Sequence, residues 1–107
     1  MFLSLTKEYF QAFSNKDIKR LKELFDKDIY LNDWELEVFG LNDVTKLMED
    51  LFEKNDLRIE IKKMYCDKNT VISEIQIFNE LNKFIKVVDI IEFNDDSKIV
   101  AIRAYKG

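Results

Sequence analysis

The sequence predicts an α+β protein, in which helices come first and a curled antiparallel sheet follows. In the first half of the chain, apolar residues recur every three or four positions, which is typical of amphipathic helices. From Asp56 onward the period falls to two, which is typical of strands with one buried face. Short polar turns separate these later segments, so neighbouring strands should pair antiparallel. Helices segregated from an antiparallel sheet define the α+β class.

The first two predicted elements are helices joined by a very short turn. The apolar stripe of the first helix consists of Phe2, Leu5, Tyr9 and Phe13. This stripe ends at Ser14 and Asn15, and Asp17 has the residue type that caps the start of a helix. The apolar positions of the second helix are Ile18, Leu21, Leu24 and Phe25.

A short strand, IYLNDW, and a loop that runs to Gly40 separate these helices from a third. Either Asn42 or Asp43 is expected to cap the third helix, because both side chains can accept a hydrogen bond from the first turn. The predicted buried side of this helix consists of Val44, Leu47, Met48, Leu51 and Phe52.

Four strands are predicted in the second half, in the segments LRIEIKK, TVISEIQIF, KFIKVVDIIEF and KIVAIRAY. The first alternates clearly, since Leu57, Ile59 and Ile61 share one face. Polar turns at 67–69, 79–82 and 94–97 would connect the four strands into an antiparallel meander.

Length and composition predict one domain that spans residues 1–107. A chain of 107 residues can bury one hydrophobic core, and the absence of proline with only two glycines argues against linkers. The net charge is −4, and lysines and arginines are mixed among the acids in most segments. No basic patch is evident that could neutralise a phosphate backbone, so nucleic acid is not an expected partner.

The N-terminal segment MFLSLTKEYF predicts a cytoplasmic protein. It lacks the basic lead and the long apolar core of a signal peptide, and no segment of the chain approaches membrane-spanning length. A membrane partner is therefore not expected. The single cysteine, Cys66, agrees with a cytoplasmic location because it can form no internal disulfide.

The chain contains no histidine, which limits its possible chemistry. Ser-His-Asp and Cys-His nucleophiles and histidine-based zinc sites are all excluded within this chain. The acids between Asp26 and Asp56 do not have the spacing of a calcium loop, so neither a metal nor another cofactor is expected. Any proton transfer would have to use carboxylates, tyrosines or lysines.

An unusual carboxylate, Asp89, lies in the middle of the strand segment VVDIIEF. Alternation places it on the same face as Ile85, Val87, Ile91 and Phe93, whereas the opposite face carries charged residues. Asp89 should therefore point inward, where loss of hydration would raise its pKa and favour the neutral acid. Such an acid can be structural, satisfied by a local partner, or can donate a hydrogen bond to a substrate oxygen.

Three segments resemble the nuclear transport factor 2-like superfamily, in its SnoaL-like and ketosteroid-isomerase-like branch. They are YFQAFSNKDIKRLKELFDKDIYLND, VFGLNDVTKLMEDLF and VVDIIEFNDDSKIVAIRAY, in this order. The resemblance covers nearly the whole chain. It implies a conical fold in which three helices pack on a strongly curved, mainly antiparallel sheet around a pocket, and a homodimer that forms through the sheet face.

The resemblance also implies site residues. In the steroid isomerases of this branch, a helix tyrosine and a late-strand aspartic acid form an oxyanion hole, and a second aspartate moves a proton. By motif, these groups correspond to Tyr9, Asp89 and Asp33 respectively. The loop after Asp33 is shorter here, and Trp34 is expected either to form a pocket wall or to fill the cavity. The expected pocket residues are Phe13, Trp34, Phe52 and Ile91.

Three functions remain open from the sequence. The first is an isomerase-like enzyme that shifts a proton on a small, largely apolar carbonyl compound. The second is a protein that binds a small apolar or aromatic ligand without turnover. The third is an association module that dimerises through its sheet face, with its cavity filled by Trp34, Met64 and phenylalanines.

Overall fold

The computed structural model describes all 107 residues as three helices and six strands. The helices are α1 (Phe2–Ser14), α2 (Ile18–Leu24) and α3 (Leu41–Lys54). The strands are β1 (Phe25–Asn32), β2 (Glu37–Phe39), β3 (Arg58–Asp67), β4 (Thr70–Phe78), β5 (Phe84–Phe93) and β6 (Ile99–Lys106). None of the helices combines the length and the apolar character that a membrane span requires.

All six strands belong to one sheet with the order β2-β1-β6-β5-β4-β3. Strands β3 to β6 form the predicted antiparallel meander, and β1 joins it by pairing parallel to β6. The register shifts within β1–β6, β3–β4 and β5–β6, and such irregularities bend and twist a sheet. The predicted α+β class, with three helices on a curved and mainly antiparallel sheet, is confirmed.

The sequence prediction differs from the structure where β1 begins. Phe25 was expected in the second helix, but it has an extended backbone and is the first residue of β1. There it lies in register with Ile99 of β6, so a tertiary pairing ends the helix at Leu24. A short strand, β2, also lies within the predicted loop before Gly40 and pairs with the end of β1.

The helix caps agree with the sequence in one case of two. The predicted cap Asp17 accepts a hydrogen bond from the backbone N–H of Arg20 at 3.1 Å. The third helix is instead preceded by Gly40, so Asn42 and Asp43 lie in its first turn rather than at its cap. Gly40 has a φ of +90°, which a residue with a side chain adopts only with strain.

The core lies between the inner face of the sheet and one side of the helices. The predicted inward face of β5 is confirmed, since Val87, Asp89, Ile91 and Phe93 are all buried whereas Lys86 on the other face is exposed. The buried apolar residues of α1, the helix that covers this face, are Tyr9, Phe10, Ala12 and Phe13.

Candidate functional site

A cavity of about 410 Å³ opens between the inner face of the sheet, α1 and α3. Of its 22 lining residues 17 are hydrophobic, so it suits a ligand with a largely apolar body. The polar or charged members of the lining are Asp33, Glu35, Asn79, Lys83 and Asp89.

Strand β5 places Asp89 at the floor of this cavity. Its inward residues Ile85, Val87 and Asp89 all line the cavity, but the next inward residue, Ile91, does not. The side chains two residues apart on a strand share one face at intervals of about 7 Å. Asp89 is thus the last inward residue of β5 that reaches the open space.

Burial makes Asp89 a weaker acid than an ordinary aspartate. The residue is only 6% exposed, and loss of hydration, with a smaller contribution from the negative charge of Asp33, raises its pKa to about 7. An aspartate with this pKa exists as a mixture of carboxylic acid and carboxylate near neutral pH. In its neutral form it can donate a hydrogen bond into the cavity.

Helix α1 brings the hydroxyl of Tyr9 to the same space. Tyr9 lines the cavity and is packed among the rings of Phe10, Phe13 and Phe25 at centroid separations of 5.3, 6.3 and 5.9 Å. Burial first, and then the negative charge of Asp89, raise the pKa of Tyr9 well above its usual value. The phenol therefore stays protonated and is a second hydrogen-bond donor beside Asp89.

Asp33 follows β1 and reaches the cavity from the connection between β1 and β2. One oxygen of its carboxylate, Oδ1, accepts hydrogen bonds from the backbone N–H groups of Glu35 and Leu36 at 2.8 and 3.0 Å. These bonds fix the carboxylate at the cavity, where it raises the pKa of Asp89. No group of three or more cysteine, aspartate and glutamate side chains is arranged to hold a metal ion.

Two of the four expected pocket residues line the cavity. Phe13 is part of its wall, and so is Trp34, which is 41% exposed and does not fill the space. Phe52 and Ile91 do not line it. Phe52 lies behind Phe13 with its ring edge-on at 5.0 Å, and Ile91 is fully buried in the core below Asp89.

Sequence reasoning missed several lining residues on other elements. Leu47 and Leu51 belong to the predicted buried side of α3, but their apolar pattern is the same whether that side meets a cavity or a packed core. The alternation of β6 places Ala104 on the same face as Ile102, but only the register of the sheet pairs it with Asp89. No sequence signal indicated Asn79 or Lys83, which lie at or next to the turn between β4 and β5.

Comparison with protein families gives one match, to the model of the SnoaL-like domain, over residues 6–102. No functionally curated protein matches the chain in sequence.

Several solved structures have the same fold. A nuclear transport factor 2-like protein of unknown function from Cytophaga hutchinsonii is 17% identical, with a TM-score of 0.86 and coverage of 100% of this chain and 90% of the other. A proposed ketosteroid isomerase from Kribbella flavida is 11% identical, with a TM-score of 0.86 and coverage of 97% and 76%. An LEH-like epoxide hydrolase from M. tuberculosis is 14% identical, with a TM-score of 0.87 and coverage of 99% and 82%. At these identities, the similarity demonstrates a shared fold alone.

Proposed function

The chain belongs to the SnoaL-like domain family, and from this premise we propose that it is an isomerase-like enzyme that shifts a proton on a small carbonyl compound. One observation carries the proposal: Tyr9, Asp33 and Asp89 line a single, largely apolar cavity. Proteins with this fold differ widely in activity, so the family alone does not fix the reaction.

The proposed roles follow from the chemistry of the three groups and from their positions at the cavity. Asp33, as a carboxylate, takes a proton from the carbon next to the substrate carbonyl and returns it to another carbon of the same molecule. The substrate oxygen becomes negatively charged between these two transfers. Neutral Asp89 and Tyr9 donate hydrogen bonds to that oxygen, and their low-dielectric surroundings strengthen the interaction.

The lining favours one class of substrate. Leu31, Leu57, Ile75, Val87 and Ile102 offer only apolar contacts, so they would hold a hydrocarbon ring or chain. A carbonyl oxygen at the Asp89 end would meet the two donors. We therefore propose a small apolar or aromatic ketone or enone as the substrate.

The direct test is hydrogen exchange on a panel of small ketones and enones in deuterated buffer, followed by NMR. The wild-type protein should exchange the protons next to the carbonyl of at least one panel member. Asp33→Asn should lower this rate by roughly 10²- to 10⁴-fold, because the amide cannot accept the proton. Asp89→Ala and Tyr9→Phe should each lower it too, because each removes a donor to the developing charge.

Glu35→Gln is the matched control, since Glu35 also lines the cavity and lies two residues from Asp33. Its exchange rate should stay close to that of the wild type. Equal losses in Glu35→Gln and Asp33→Asn would overturn the assignment of Asp33 as the base. A wild-type protein that exchanges no member of the panel would remove the enzyme proposal.

A non-catalytic ligand-binding protein is the second candidate, and the hydrogen bonds of Asp33 favour it. Because Asp33 Oδ1 accepts two N–H groups of its own loop, the residue also has a sufficient role as a turn former. Trp34 is the only tryptophan and lines the cavity, so its fluorescence reports directly on ligand binding. Binding without exchange would support this second function.

We also propose that the protein forms a homodimer through the outer face of its sheet. One row across this face joins Tyr65, Ile72, Ile90 and Arg103 in register, and Tyr65 is 47% exposed. The first three of these residues give the outer face a partly exposed apolar row, and such a surface favours association. Sedimentation analysis should give a dimer for the wild type and a monomer for Ile90→Lys, and a wild-type monomer at all concentrations would contradict the proposal.

A further inference from the structure

Ser73 carries the only buried side-chain oxygen or nitrogen of the protein that has no hydrogen-bond partner. The residue is on the inward face of β4 and is 0% exposed. Buried hydroxyl groups are nearly always paired, and an exception calls for a physical explanation.

The register of the sheet places Ser73 directly opposite Asp89. The two residues are partners in the pairing of β4 with β5, and Cβ atoms of such partners are about 4.5–5.5 Å apart. On its other side Ser73 faces Met64 of β3, whose sulfur is only a weak acceptor. Asp89 is therefore the strong hydrogen-bonding side chain among the cross-strand neighbours of Ser73.

The surroundings of Asp89 lead to the same pair. Its partner on β6 is Ala104, which has no polar group. Two titratable groups interact electrostatically with Asp89, namely Tyr9 from α1 and Asp33 from the β1–β2 connection. Both line the cavity. Ser73 does not line the cavity, so it approaches Asp89 from the side away from the ligand.

We propose that Ser73 is a positioning residue, whose hydroxyl donates a hydrogen bond to one oxygen of Asp89 and leaves the other oxygen for the ligand. A rotation about the Cα–Cβ bond of Ser73 is enough to redirect its hydroxyl. The bond is strongest when Asp89 is ionised, because a charged acceptor strengthens a hydrogen bond. It also orients the neutral acid, since an oxygen that accepts from Ser73 leaves the acidic O–H on the oxygen at the cavity.

The effect on the ligand rests on the function proposed above, but the effect on Asp89 does not. The test is therefore an NMR titration of the ¹³C-labelled Asp89 carboxyl in the ligand-free protein. Loss of a bond to the ionised form raises a pKa, so Ser73→Ala should raise that of Asp89 by roughly half a pH unit or more.

Two variants of nearly equal volume separate the hydroxyl from packing. Ser73→Thr keeps the hydroxyl and should titrate like the wild type, whereas Ser73→Val should titrate like Ser73→Ala. Thr45→Val is the matched control, because it removes another buried hydroxyl, which bonds to the backbone oxygen of Leu41 instead. This control should leave the pKa of Asp89 unchanged.

An Asp89 pKa that is the same in the wild type, Ser73→Ala and Ser73→Val would overturn the proposal. The exchange assay with ketones is a separate readout, in which Ser73→Ala should be severalfold slower than Ser73→Thr. If the wild type exchanges no ketone, the enzyme proposal fails while the titration still decides the role of Ser73.

Discussion

The two halves of the inner face of β5 differ in how they are covered. In its C-terminal half, Ile91 and Phe93 are 0% and 1% exposed, and the ring of Phe2 stacks on that of Phe93 at 4.8 Å. In its N-terminal half, Ile85 and Val87 line the cavity. The same alternating pattern therefore makes a solid core in one half and the wall of a cavity in the other.

This difference shows where a cavity arises in such a fold. In the N-terminal half no side chain fills the space opposite the strand, and the cavity there is walled by residues of α1, α3 and the β1–β2 connection. Asp89 lies at the boundary between the halves. It is buried enough to have a raised pKa and still reaches the open space.

The largest expected effect compares one isoleucine from each half. Ile91→Ala should lower the free energy of unfolding by about 2–5 kcal/mol, because it leaves a new cavity in a packed core. Ile85→Ala should cost clearly less, because its side chain already borders open space. Urea unfolding of both variants measures the difference, and equal losses would show that the two halves are packed alike.

The buried Asp89, at the boundary between the two halves, makes the stability of the protein depend on pH. The pKa of Asp89 is about 7 in the folded protein and about 4 in an unfolded chain, so the folded state binds more protons between these values. The free energy of unfolding should therefore fall as the pH rises through this window. The stabilisation by the protonated form is complete below about pH 4 and is lost above about pH 7.

Asp89→Asn removes this dependence and should be more stable than the wild type above pH 7, by at most roughly 4 kcal/mol. Urea unfolding at several pH values between about pH 4 and pH 8 measures the gap. Asp96→Asn, in the exposed turn after β5, is the control, and its free energy of unfolding should change with pH in the same way as that of the wild type. If the difference in free energy of unfolding between Asp89→Asn and the wild type stayed constant over this pH range, it would contradict the burial of an ionisable Asp89.

The smallest expected change in stability comes from filling the open half. Ala104→Phe places a ring beside Asp89 and should lower the affinity for a bound ketone by about tenfold or more, with a change in stability of about 1 kcal/mol. Quenching of Trp34 fluorescence measures the affinity. Ala101→Phe, on the outer face of the same strand, should bind like the wild type, and equal weakening in both would argue against this cavity as the site.

The sequence by itself determined the α+β class, the inward face of β5 and the cap at Asp17. These features depend on local periodicity and on hydrogen bonds between residues that are close in the chain, so they can be read without a partner element. The same periodicity identified Asp89 as inward, and resemblance to a family supplied Tyr9 and Asp33 as companions at the cavity.

Only the tertiary structure decided which inward residues face a cavity and which face the core. Phe52 and Ile91 have the same apolar pattern as Phe13 and Val87, and alternation specifies a face but not the depth at which a helix stops covering it. The register that pairs Ser73 with Asp89, and Phe25 with Ile99, likewise joins residues that are distant in the chain. Such pairings are set by how the whole sheet bends around its helices, because bulges shift the register at positions that no local pattern marks.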